Sequence, residues 1–194
     1  MEVWTERGRD ERYHWVKPAC VPFEHIEFAL GGARVRADDG ERSSLIEGHI
    51  KYLLRESTGQ QAGYGLFLGE HRDRSAPGRA GERVLKAMTT VPLIDETLVV
   101  HLNAGVSRER DGTSRRVRGL WSAALDRELG GQTRGFVEAF GTGSDRPSWQ
   151  VGLQHQLAPG RLQLDASVGS VVGRWRDNRQ LSVGLVIFAP GLLR

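Results

Sequence analysis

Thr97-Leu98-Val99-Val100-His101-Leu102-Asn103-Ala104-Gly105-Val106-Ser107 is the stretch whose reading decides the fold. Leu98, Val100, Leu102, Ala104 and Val106 alternate with Thr97, His101, Asn103, Gly105 and Ser107, and Val99 is the one exception. A period of two gives a strand with one apolar face and one polar face. Residues 161–169 repeat the scheme, with Leu162, Leu164, Ala166 and Val168 opposite Arg161, Gln163, Asp165, Ser167 and Gly169. Residues 149–157 set Trp149, Val151, Leu153 and Leu157 against Gln150, Gly152, Gln154 and Gln156, with His155 as the outlier on the apolar face.

Working outward, the same alternation predicts strands over 26–35, 46–55, 64–70, 84–93, 117–129, 135–141 and 181–188, ten in all after Glu24. Residues 2–16 supply an eleventh, highly charged strand, which the Gly8-Arg9-Asp10 stretch could split into a short hairpin. Short links are expected at Ile94-Asp95-Glu96, Gly130-Gly131 and Ala158-Pro159-Gly160, and longer polar ones over 37–43, 71–82, 108–116, 142–148 and 170–179. A meander with short turns at one end and long loops at the other is the pattern of outer-membrane barrels.

Composition agrees with that class without selecting it. The 194 residues hold 25 glycines and are 39% hydrophobic and 26% charged, and the chain contains a single cysteine, which excludes an internal disulfide. The mean hydropathy of -0.41 does not separate a soluble chain from a barrel, whose strands average one greasy face with one polar face. No run approaches the length of a spanning helix. Twenty-seven basic residues, of which only Lys17, Lys51 and Lys86 are lysine, are interspersed with 24 acidic ones, so no basic face marks a nucleic-acid partner.

The polar face carries Glu27, Glu47, His49, Lys51, Arg55, His101, Arg118, Asp126, Glu138 and Asp165. These are too many charges for a surface that is merely wetted, and they are read as lining a lumen, where fixed charge sets selectivity. Pairing among them could equally close the lumen and leave a structural barrel. A soluble barrel or sandwich that binds a small ligand is the competing class. The six histidines never stand at metal-ligand spacing, Gly141-Thr142-Gly143-Ser144 lacks the Gly-Lys of a phosphate loop, and no cofactor is expected. His155 is the one residue to weigh for lipid hydrolysis on the apolar face; no serine stands beside it, since Ser122 and Ser167 fall on the polar side. The chain reads as a non-enzyme. Trp149, Trp121 and Tyr52 suit interfacial belts, and Trp15 falls near a short-turn end.

Several stretches are familiar in order and spacing: Val100-His101-Leu102-Asn103-Ala104-Gly105, Val137-Glu138-Ala139-Phe140-Gly141, Gln150-Val151-Gly152-Leu153-Gln154, residues 161–169, and Leu181-Ser182-Val183-Gly184-Leu185, with Pro22-Phe23-Glu24 and Lys51 upstream. The chain resembles the outer-membrane β-barrel family associated with phenol meta-pathway degradation. The resemblance implies a channel for small, aromatic solutes and brings no catalytic residues with it. Two departures stand out: Phe188 is followed by Ala189-Pro190-Gly191-Leu192-Leu193-Arg194, and residues 1–24 hold no apolar run of signal-peptide length.

The expectation is therefore an all-β, antiparallel up-and-down transmembrane barrel of ten to twelve strands forming one domain over residues 1–194, located in the outer membrane. Its partners would be outer-membrane lipid and a small solute. Eleven strands would leave Met1 on the outer side, so the parity of strands predicts a chain lacking its first strand together with its export signal.

Overall fold

The computed structural model describes residues 1–75, 81–94, 97–111 and 114–189. The expected turn at Asp95-Glu96, the tip of the 71–82 link, Gly112 and the tail from Pro190 to Arg194 lie outside the described residues. No helix among the described residues is long and apolar enough to cross a membrane.

The chain forms one antiparallel sheet that closes on itself. In order its strands are β1 (Glu2–Arg7), β2 (Glu11–Lys17), β3 (Ala19–Phe23), β4 (Ile26–Ala37), β5 (Arg42–Arg55), β6 (Gly63–Asp73), β7 (Gly81–Ile94), β8 (Leu98–Asp111), β9 (Ser114–Gly130), β10 (Thr133–Thr142), β11 (Ser148–Ala158), β12 (Leu162–Val171) and β13 (Gln180–Ile187). Each strand from β4 to β13 pairs with the next. The seam is made by β1 with β13 and by β2 with β4. A single helical turn, α1 (Trp175–Asn178), lies in the β12–β13 link.

β2 and β3 occupy one position in the ring. Glu11 faces Ala37 and Val16 faces Gly32 across β2–β4, and Ala19 faces Ala29 and Cys20 faces Phe28 across β3–β4, so the register runs on without a shift. Pro18 separates them because it has no N–H for the ladder, although its carbonyl still accepts from Leu30 N at 3.2 Å. The result is a closed barrel of twelve strands, with β3 as the extra segment.

This corrects the strand count of eleven. Gly8-Arg9-Asp10 does break the N-terminal segment into a hairpin, with Arg7 paired to Arg12, and the added strand makes the number even. The ring closes without a further strand, since β1 itself bonds to β13. The Met1 ammonium donates to Ile187 O at 2.7 Å and Ile187 N donates to Met1 O at 2.8 Å. Both described ends of the chain therefore lie at one rim, here the terminal rim; the opposite, distal rim carries the links 8–10, 38–41, 143–147 and 172–179, together with the end of β6, the start of β7, the end of β8 and the start of β9.

The length segregation of links is weaker than expected. β8 and β9 continue through most of 108–116, leaving only residues 112–113 between them, whereas the terminal-rim link 56–62 is among the longer ones. Register irregularities at Leu53/Arg55, Pro92/Ile94, Thr133/Arg134 and Gln156/Ala158 all fall toward the terminal rim, where bulges release strands from the curved wall.

Strand alternation sorts the side chains into an outer and an inner face. Leu102 and Val106 are exposed on the outside, while Val99, the exception in the deciding stretch, turns inward and is buried opposite Pro92. Inward glycines make room for large neighbours. A Cβ on Gly152 would lie 2.6 Å from the Phe136 ring, and one on Gly184 would lie 2.7 Å from Trp4 Cβ. Gly48 and Gly119 face outward, and a Cβ on Gly119 would meet nothing within 4 Å.

Candidate functional site: the barrel lumen

Two walls of the lumen differ in how they hold charge. On the first, formed by β1, β2 and β4 to β7, inward positions alternate acid, base and aromatic. Glu27 on β4 stands directly opposite Lys51 on β5, and its Oε1 accepts from Lys51 Nζ at 2.8 Å and lies 3.2 Å from His49 Nε2. Toward the seam, Lys17 Nζ lies 3.1 Å from Glu2 and 3.6 Å from Glu47. The same ammonium rides 4.9 Å above the ring of Trp4, which stacks on Trp15 with centroids 5.3 Å apart. Gly31 leaves space for the Lys17 stem, since an added Cβ would sit 3.0 Å from Lys17 Cβ. Further round, Lys86 Nζ lies 4.3 Å from the centre of the Phe67 ring, against whose other neighbour, His49, the centroid distance is 4.9 Å. An ammonium over an aromatic face is held by the ring quadrupole.

On the second wall, β10 to β13 and the inner face of β1, amides take the place of cations. Gln150 Nε2 donates to Glu138 Oε2 at 2.6 Å, and Gln163 Nε2 donates to Asp165 Oδ1 at 2.8 Å. Among the described residues, Glu138, Asp165 and Glu6 have no ammonium or guanidinium within 4.0 Å. Glu6, Phe140, Gln150, Ser167, Gln180 and Ser182 border a recess of about 380 Å³ open to the lumen. Two arginines near the rims of the lumen, Arg134 and Arg118, are tied to acids. Arg134 contacts Asp126 at 2.5 Å, and Arg118 lies 2.6 Å from Asp145 and 3.5 Å from Glu109.

Of the ten residues expected to line the lumen, Glu27, Glu47, His49, Lys51, His101, Arg118, Asp126, Glu138 and Asp165 occupy the inward alternation. Arg55 does not: it lies past the β5 irregularity, exposed at the terminal rim, where its Nη2 donates to Gln61 Oε1 at 2.5 Å. Sequence reading missed Glu2, Glu6, Lys17 and Lys86. The first three lie on the hairpin whose split was left open, and Lys86 sits alone among apolar and small neighbours, where only the register of β7 against β8 reveals its direction. Trp15, expected near a membrane interface, is instead buried within the lumen, because β2 presents Trp15 and Lys17 on the same face.

His155 stays on the outer face toward the terminal rim, and the structure supplies a hydroxyl neighbour that the sequence did not suggest: Thr133 Oγ1 lies 2.9 Å from His155 Nδ1. The pair resembles Thr90 with His101 and Thr5 with His14, each at 3.0 Å, as a cross-strand hydrogen bond. No His, Cys, Asp or Glu cluster among the described residues is arranged to hold a metal ion.

Comparison with known proteins agrees with this architecture. A family model described as "Uncharacterised conserved protein UCP029691" matches residues 1–187, and no curated protein matches in sequence. Among solved structures, the fold is similar to that of the KdgM porin in complex with disordered oligogalacturonate, with a TM-score of 0.70, 13% identity and 95% of each chain covered. It is also similar to outer membrane phospholipase A from Escherichia coli, with a TM-score of 0.57 and 10% identity over 96% of this chain and 88% of that one. The translocator domain of the autotransporter NalP from Neisseria meningitidis gives a TM-score of 0.53 and 13% identity, over 95% and 85% of the two chains. The fold is thus that of outer-membrane barrels such as KdgM. The phenol meta-pathway resemblance is not what the family match names.

Proposed function

The chain belongs to the family of uncharacterised conserved protein UCP029691, and we propose that it is an outer-membrane channel for the passive passage of small solutes, with a preference for cations. One observation carries the reading: the barrel is apolar outside and charged inside. Leu30, Leu54, Leu68 and Leu85 are each more than half exposed on the outer face, while charged side chains fill the inner one. A soluble barrel with that arrangement would expose an apolar band far larger than soluble monomers tolerate. Tyr52 and Tyr64 toward the terminal rim, and Trp149 stacked on Trp175 at the distal rim with centroids 5.6 Å apart, suit the interfacial girdles of such a barrel.

The cation preference follows from the second wall. On the first wall Lys17, Lys51 and Lys86 offset much of the carboxylate charge, but Glu6, Glu138 and Asp165 have no cation in direct contact among the described residues, Lys86 acting on Glu138 only from across the lumen. Fixed negative charge along one side of a pore lowers the barrier for cations and raises it for anions. KdgM was solved with an oligogalacturonate, a polyanion; the acid-rich wall here disfavours a ligand of that charge. The resemblance to phenol-pathway barrels adds aromatic solutes as candidates, and the Trp4–Trp15 stack beside Lys17 is the lumen surface that a planar ring would meet.

Planar-bilayer recording of the refolded protein tests this. Under a salt gradient, the reversal potential is expected to favour potassium over chloride, and the triple variant Glu6→Gln/Glu138→Gln/Asp165→Asn to lose most of that preference while still conducting. Anion selectivity would overturn the charge assignment. An absence of channel events from protein that shows heat-modifiable migration would overturn transport and leave the closed structural barrel.

A further inference from the structure

The lumen leaves one group of charges unexplained, because it points the other way. At the distal rim, Arg7 on β1 pairs with Arg12 on β2, Arg12 with Arg36 on β4, and Arg36 with Arg42 on β5. All four are exposed on the outer face, which makes an unbroken row of guanidiniums across four adjacent strands. The row is followed round the barrel by a second cluster. Arg72, Arg83, Arg108, Arg110 and Arg115, with Glu70 and Glu82, border a cleft of about 250 Å³ around the backbone of Gly81. Here too, arginine faces arginine directly, at Arg83–Arg108 and Arg110–Arg115.

Directly opposed like charges destabilise a sheet. Carboxylates to neutralise them are close at hand in the sequence, but the strand alternation turns them inward. Glu11 precedes Arg12, Glu82 precedes Arg83 and Glu109 separates Arg108 from Arg110, and at each site the acid takes the lumen side. Among the described residues Glu70 is the exception on the outer face, 2.5 Å from Arg72 and 3.4 Å from Arg83. On the outer face of β8 the arginines begin one outward position beyond Val106, at the edge of the apolar band. That is the depth of lipid headgroups.

We infer that this arginine belt is a docking surface for phosphate-bearing lipid headgroups of the leaflet around the distal rim. Guanidinium presents a planar fork that binds phosphate oxygens in pairs, which ammonium cannot do. The belt is made entirely of arginine, and lysine is confined to the lumen. A phosphate seated between two opposed arginines turns their repulsion into shared attraction. The inference rests on the reading of the chain as a membrane barrel, since only then does a leaflet surround this rim.

The test uses the full chain refolded in neutral detergent. Native mass spectrometry counts bound bisphosphorylated diglucosamine lipid, its dephosphorylated form and inorganic phosphate, and the heat-modifiable gel shift is recorded in parallel. The phosphorylated lipid is expected to bind at least about tenfold more tightly than the dephosphorylated one, and inorganic phosphate not to compete at equal concentration. The doubles Arg36→Gln/Arg42→Gln and Arg83→Gln/Arg108→Gln are each expected to lose about tenfold in affinity while keeping the gel shift, and the matching Arg→Lys doubles to recover only part of it. Equal binding of the two lipids, full competition by inorganic phosphate, or unchanged binding in both glutamine doubles would overturn the belt as a lipid surface. Failure of the wild-type chain to enter neutral phosphatidylcholine vesicles or to show heat-modifiable migration would instead overturn the membrane reading on which the belt depends.

Discussion

The inner wall near β5 and the outer face at the distal rim carry the same sign of charge in opposite ways. Inside, each lysine has a partner suited to a compact ammonium: Lys51 has Glu27, Lys17 has two carboxylates and an indole, and Lys86 has the Phe67 ring. Outside, guanidiniums face one another at Arg7–Arg12, Arg12–Arg36 and Arg83–Arg108, and the Glu70 carboxylate on that face serves Arg72 and Arg83. A formal net charge of +3 therefore conceals an acid-rich lumen within an arginine-rich collar. The difference teaches that strand alternation sorts this chain by type of cation as well as by polarity. The inner arrangement is self-sufficient, whereas the outer one calls for an anion from elsewhere.

The largest expected effect contrasts the packing of the two faces. Gly184→Val would drive a side chain into Trp4 and within 3.2 Å of Val3 O, across the β1–β13 seam that closes the ring. Overpacking of this kind costs about 3 kcal/mol where nothing can move aside, so the heat-modifiable folded band should largely disappear. Gly119→Val adds the same atoms to an outward position with open space and should fold like the parent. Equal folding of the two variants would mean that the lumen is not the crowded side.

Next in size is the loss of the shared acceptor inside. Glu27→Leu leaves Lys51 and His49 without the oxygen that both contact, and His49 is largely covered, with 9% of its side chain exposed. Stranding polar groups in this way costs about 2 kcal/mol, to be read as a lower urea midpoint for unfolding from detergent. Arg42→Leu removes a charge that has no such partner and should shift the midpoint much less. A reversed ranking would dissolve the distinction between the shared carboxylate of the lumen and the directly opposed arginines at Arg36–Arg42.

Much of this was legible in the alternation of residues 97–107, 149–157 and 161–169, which fixed the strands, the two faces and most of the inward charges. Three things were not. The N-terminal hairpin depends on whether Gly8-Arg9-Asp10 turns, and charged strands such as β1 and β2 carry no apolar stripe to mark their faces, so Trp4, Trp15 and Lys17 could not be assigned. Arg55 was misplaced because an irregularity between Leu53 and Arg55 resets the phase, and periodicity cannot see a bulge. The belt was invisible for a different reason. Arg7, Arg12, Arg36 and Arg42 come into one row only through the registers of three strand pairs.

A smaller effect concerns the inner face again. Ser107 is fully buried, and its Oγ has no hydrogen-bond partner among the described residues. Ser107→Ala removes an unsatisfied group and should raise the urea midpoint by the equivalent of about 1 kcal/mol. A loss of similar size would indicate that the hydroxyl is bonded within the lumen after all.

The smallest effect is the most discriminating, because its sign depends on the surroundings. Arg12 stands between Arg7 and Arg36 in the outer row, so Arg12→Gln removes two direct repulsions at once. Opposed pairs are worth a few tenths of a kcal/mol each, and in neutral detergent the variant should be slightly more stable than the parent. With phosphorylated glycolipid present, the same guanidinium bridges its neighbours through the bound phosphate, and the variant should become the less stable of the two. Self-repulsion alone gives the first result in both media, and a row supported by contacts within the protein gives the second in both. Only a collar built around an external anion makes the order of the two midpoints change with the lipid.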